Sequence, residues 1–102
     1  MKNHQMKLID STYAVREAKE VLQSLLNDKI KFLNHKIFSI QERFGSDTSA
    51  QEKRVRELKE ELQQLIETLK PFENEDFQVE IDCLVNMKIK KLETFMQYEI
   101  HE

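Results

Sequence analysis

A chain with a single glycine and a single proline has few places to turn, and Gly45 and Pro71 divide these 102 residues into three long stretches. Glycine supplies the left-handed conformation that closes a helix, and proline cannot continue one. Between such stops, the period of the apolar residues decides the local structure.

Before Gly45 that period is helical. Val15, Ala18, Leu22, Leu26, Ile30, Leu33, Ile37, Ile40 and Phe44 recur at steps of three and four, which sets them along one face of a helix. The spacing predicts a first helix over 14–44, on the order of 45 Å long at ~1.5 Å per residue. Successive steps of four at Leu22, Leu26 and Ile30 interrupt a strict heptad and predict a straighter helix than a coiled coil would carry. Asp10, Ser11 and Thr12 are candidate caps for its start, although none has Glu or Gln three positions later.

Beyond Gly45, Ser49 and Glu52 have the spacing of a capping box. Val55, Leu58, Leu62, Leu65 and Leu69 then predict a second helix over 50–70, stopped by Pro71. So short a connection makes the two helices antiparallel. Their lengths do not match. Folded back from the turn, the second helix ends opposite about residue 24. Val15, Ala18, Val21 and Leu22 then need cover from the segment after Pro71 or from another subunit.

The third stretch changes period. In "FQVEIDCLVNMKI", Phe77 to Ile89, each odd position is apolar and each even position except Leu84 is polar. As a helix this segment would be apolar nearly all round. As a strand it sorts into two faces, and Val79, Ile81 and Val85 are β-branched, so the expectation is a strand over about 77–89. Asn74, Glu75 and Asp76 would suit a helix start, but the alternation outweighs them. A strand needs a hydrogen-bonding partner. The candidates are Met6–Ile9, the tail Leu92–Ile100, or the same strand of a second molecule in an isologous dimer. Leu92, Phe95, Met96 and Ile100 also fit a short terminal helix. The expected fold class is therefore mainly α: an antiparallel two-helix hairpin with a C-terminal strand, forming a dimeric bundle. It is one domain, 1–102, with an N-terminal extension over 1–12 that has room for a short strand at 6–9, and a tail over 90–102.

Several function classes fall away. With Gly45 alone, no phosphate-binding glycine loop can form, which removes the Walker and dinucleotide fingerprints. His4, His35 and His101 make neither an HExxH motif nor a Glu-x-x-His pair. Cys83 lies on the apolar face of the expected strand, where a thiol is a small hydrophobe rather than a nucleophile. A single cysteine also rules out an internal disulfide framework and fits a reducing compartment. Glu60–Glu61 and Glu73–Glu75–Asp76 read as solvated faces, with no calcium-loop pattern around them. No catalytic, cofactor-binding or metal-binding residue is expected.

Net charge is -3. Lys53, Arg54, Arg56 and Lys59 alternate with Glu52, Glu57, Glu60 and Glu61, and only Lys88–Lys91 makes a compact basic patch. Nucleic acid is therefore not the expected partner. The alternative would be a nucleic-acid-binding regulatory dimer using Lys53, Arg54, Lys88, Lys90 and Lys91; an enzyme with a site at a subunit interface is more remote. Charged residues make up 34% and mean hydropathy is -0.65, and no apolar run approaches the ~20 residues of a membrane span. The first residues, "MKNHQMKLID", lack the apolar core of a signal peptide, so the expected location is the cytoplasm. What stands is a small non-enzymatic interaction or structural protein, homodimeric or bound to another protein. Its candidate interface residues are Val15, Ala18, Val21, Leu22, Phe32, Phe38, Val79, Ile81 and Val85. Phe32 and Phe38 join them because aromatics beside a helix stripe widen its apolar surface, and interfaces are rich in them.

Overall fold

The computed structural model describes residues 2–74 and 76–92. Strand β1 (Lys2–Ala14) leads without a loop into helix α1 (Val15–Phe44), followed by α2 (Ser49–Leu69), a 3-10 turn (Lys70–Phe72) and strand β2 (Gln78–Ile89). The two strands form an antiparallel two-stranded sheet. This overturns the mainly α reading, because strand accounts for about 28% of the described structure and half of it comes from an N-terminal segment in which only a short strand at 6–9 was expected. Of the three candidate partners for the C-terminal strand, that segment is the one that pairs with it in this chain. Of the tail over 90–102, considered as a terminal helix or strand, residues 90–92 take neither form and the rest lies outside the described residues.

The length of β1 was hidden by a bulge. Pairing runs from Lys2 opposite Ile89 to Ala14 opposite Gln78, with a shift between Lys7 and Ile9 that leaves Leu8 without a partner. An extra residue of this kind moves the apolar positions from one parity to the other. Met6 and Ile9 therefore share a face of the ribbon although they are three residues apart, a spacing that does not read as strand. On β2 the alternation is unbroken, so Val79, Ile81, Cys83, Val85, Met87 and Ile89 line one face.

Both helix starts depart from the expected caps. Asp10, Ser11 and Thr12 belong to β1. The start of α1 is held from inside the helix, where Glu17 Oε1 accepts the Ala14 N–H at 3.1 Å. At α2 the capping-box expectation gives way to Asp47, whose Oδ1 accepts both the Ser49 N–H at 3.0 Å and the Ser49 hydroxyl. These two bonds hold the Asp47 carboxyl below its usual range. Gly45, at φ 59°, closes α1 in the left-handed region, and its N–H donates to Gln41 O at 3.2 Å.

Two hydrophobic clusters follow from the unequal helices. Near the turn, Ile30 and Leu33 of α1 meet Val55 and Leu58 of α2, flanked by Leu26 and Ile37. At the other end α2 has run out, and the ribbon takes its place. Ile9 and Ile81 pack on Ala18, flanked by Tyr13, Val21, Leu22, Val79 and Cys83. Cover for the start of α1 thus comes from both strands of the same chain. The body is flat, 55 × 31 × 14 Å along its principal axes.

Candidate interaction surface

The ribbon face that seals the second cluster continues beyond it. Cross-strand neighbours share a face, so Met6, opposite Val85, extends the line Val79–Ile81–Cys83 outward together with Met87 and Ile89. Exposure rises along that line from 9% at Ile81 to 40% at Met87 and 55% at Ile89. The helix beneath shows the same gradient. Ala18, Leu25 and Phe32 are spaced by seven residues, two helical turns, and their exposure climbs from 0% through 39% to 51%. Two apolar surfaces that meet at Ala18 are therefore bare farther along. A hollow of about 450 Å³, lined by Leu8, Ile9, Glu20, Val21, Ser24 and Leu25, opens between them.

A second hollow, of about 340 Å³, lies beside the start of β2, lined by Val15, Thr68, Leu69, Phe72, Phe77 and Gln78–Glu80. Of these, Phe72 and Phe77 form an edge-to-face pair with ring centres 4.9 Å apart. At the residue after Phe72, Glu73 Oε1 accepts a hydrogen bond from Lys19 Nζ at 2.8 Å. That hydrogen bond, helped by the positive charge nearby, holds the Glu73 carboxyl below its ordinary range. It also ties the turn after α2 to the first turns of α1, fixing where β2 enters the sheet.

The residues singled out from sequence separate into three groups. Val15 and Ala18 are buried and Val21 and Leu22 half-buried, all within the chain's own packing. Val79, Ile81 and Val85 lie on the helix-facing side of the ribbon, with Ile81 buried and the other two half-buried. Phe32 and Phe38 are exposed; Phe32 stands on the Ala18–Leu25 line, whereas Phe38, six residues on, faces elsewhere. Met6, Leu8, Leu25, Met87 and Ile89 belong to the surface and were not singled out. Met87 and Ile89 had a signal in the alternation, and Leu25 in its distance from Ala18. Met6 and Leu8 fall in the short strand expected at 6–9, but the bulge conceals which face each of them takes.

The polar residues considered from sequence lie apart from one another among the described residues. Cys83 is half-buried opposite Ile9, His4 sits opposite Met87, and His35 is exposed on α1; His101 lies outside the described residues. Among the described residues, no group of three or more His, Cys, Asp and Glu side chains could hold a metal ion. The basic residues are spread over separate elements: Lys53 and Arg54 on α2, where Arg54 Nη1 donates to Glu57 Oε1 at 3.3 Å, and Lys88 near the end of β2 with Lys90 and Lys91 just past it. No described helix is long and apolar enough to cross a membrane. The chain matches no protein-family model, no curated protein sequence and no solved structure.

Proposed function

We propose that this is a non-enzymatic interaction protein that works as a homo-oligomer through the bare half of its ribbon. It acts in the cytoplasm, where a lone thiol such as Cys83 stays reduced. The observation that carries this reading is the apolar line Met6, Val85, Met87 and Ile89, which continues a packed face past the end of its cover. Contiguous apolar surface is costly in water, at about 25 cal/mol per Å², and patches of this kind mark interaction sites. A two-stranded ribbon is also marginal by itself and gains from further strands or a packed face.

Sedimentation velocity on the intact protein over a dilution series tests the reading. The expected result is an oligomer that dissociates only at low concentration. Met87→Glu should shift it to monomer with the helical circular dichroism unchanged, because Met87 belongs to neither cluster. A wild-type protein that remains monomeric at every concentration would overturn the proposal.

A further inference from the structure

The homo-oligomer reading leaves open how two copies meet, and the ribbon supplies an answer that rests on that reading. We infer that two β2 strands pair antiparallel about a two-fold axis at Leu84, giving a four-stranded sheet ordered β1–β2–β2–β1 across the two copies.

Each strand of a two-stranded sheet has one free edge of backbone N–H and C=O groups. The edge of β1 is interrupted at Leu8, and bulges are a device that discourages edge pairing. Strand β2 has no such interruption from Gln78 to Ile89. It is the edge that can be extended.

Antiparallel symmetry then brings each bare half beside a covered one. With Leu84 on the axis, Met87 stands next to the partner's Ile81, and Val85 next to the partner's Cys83. Ile89 stands next to the partner's Val79. The apolar residues that lack cover in one copy continue a face that α1 of the other copy already backs. Ile89 also arrives at the partner's hollow beside β2, whose apolar lining includes Val15, Leu69, Phe72 and Phe77.

The opposite face of β2 carries the matching charge pattern. It reads Glu80, Asp82, Leu84, Asn86, Lys88, acidic at one end and basic at the other. The two-fold places Glu80 against the partner's Lys88, Asp82 against the partner's Asn86, and Leu84 against itself. A parallel arrangement would set like charges together, and a slip of one residue would turn the apolar face outward. Within one chain, Glu80 faces Thr12 and Lys88 faces Asn3. Both in-chain neighbours are neutral, so these charges find no ionic partner across the ribbon itself.

Cysteine cross-linking in a Cys83→Ala background reads the register directly. Leu84→Cys should give a disulfide-linked dimer on mild oxidation, because residues on the axis face each other at about 4.5–5.5 Å between Cα atoms, within disulfide reach. Asn86→Cys should not, since its two copies would be offset by four residues, roughly 13 Å. Charge exchange gives an independent check. Glu80→Lys alone and Lys88→Glu alone should each weaken the dimer by roughly tenfold, by opposing like charges across strands, and the double exchange should restore it. An oligomer by sedimentation that links at Asn86 and not at Leu84, or at neither, would overturn the strand pairing while leaving the homo-oligomer reading intact. A monomer would overturn both.

Discussion

From Ile9 to Ala14 and from Gln78 to Cys83 the ribbon lies on α1 and helps bury Ala18. From Lys2 to Lys7 and from Leu84 to Ile89 the same ribbon keeps an apolar face, yet none of its residues joins a hydrophobic cluster. The backbone pairing is the same in both halves. The difference lies in what is underneath, and that was settled by helix length: α2 stops at Leu69, leaving one end of α1 for the ribbon to cover. Alternation therefore decides which residues share a face, while the lengths of other elements decide whether that face is occupied.

The largest expected effect tests whether the two clusters form one cooperative unit. Leu33 is fully buried between the helices, and Leu33→Ala should cost about 2–5 kcal/mol in denaturant unfolding. If ribbon amides keep their hydrogen-exchange protection when the helices melt, the clusters are separate units and the two ends of the molecule must be treated apart. The contrast within the ribbon is next. Ile81→Ala should cost about 2–4 kcal/mol, whereas Met87→Ala, six residues along the same face, should stay within about 0.5 kcal/mol in a monomeric sample. Equal costs would mean that the outer half is covered after all. Gly45→Ala meets no neighbouring atom within 4 Å, so its penalty is that of a left-handed alanine alone, about 1 kcal/mol. It should weaken the hairpin and leave the ribbon register unchanged.

The smallest effect is electrostatic. Asp47 and Glu73 both have carboxyl groups held below the ordinary range by hydrogen bonds. Their contribution to stability is full above the unfolded value of about 4 and fades as pH falls through their lower folded values. Chemical denaturation midpoints should therefore be flat near neutral pH and decline in acid. Glu73→Gln should flatten part of that decline. An unchanged acid slope in this variant would show that the Lys19–Glu73 contact does not help to seat β2.

What could be read from sequence was what is encoded locally. Nine apolar residues at steps of three and four specify α1, and a glycine after Phe44 marks its end without reference to the rest of the chain. The alternation of β2 was equally plain. Strand β1 was legible only as the short strand at 6–9, which does pair with β2. Its full length was not, because one extra residue, Leu8, shifts its pattern halfway along and removes the period by which a longer strand is recognised. The caps were misplaced for a related reason. Ser49 has the spacing of a capping residue, but Asp47 stands two positions earlier and takes its N–H first, and Glu17 caps α1 from within. The bare surface depended on both omissions. With only Met6–Ile9 of β1 expected as a strand, Val15, Ala18, Val21 and Leu22 are left available to a partner, whereas the exposed positions lie farther out, at Met6, Met87 and Ile89.

The pairing of Lys2 with Ile89 has a consequence for the order of events in folding. The helical hairpin draws on contacts close in sequence, while the ribbon joins the two ends of the described chain and must close the widest loop in it, which is slow for topological reasons. On a ribosome, β1 is made first and waits for β2 until both helices and the turn after them have followed. A strand kept waiting with two open edges invites the wrong neighbour. Because the extra residue Leu8 breaks the alternation of β1, a partner strand without a matching shift fits only one of its halves. The pattern that obscures the strand in the sequence thus also narrows what can pair with it during that interval.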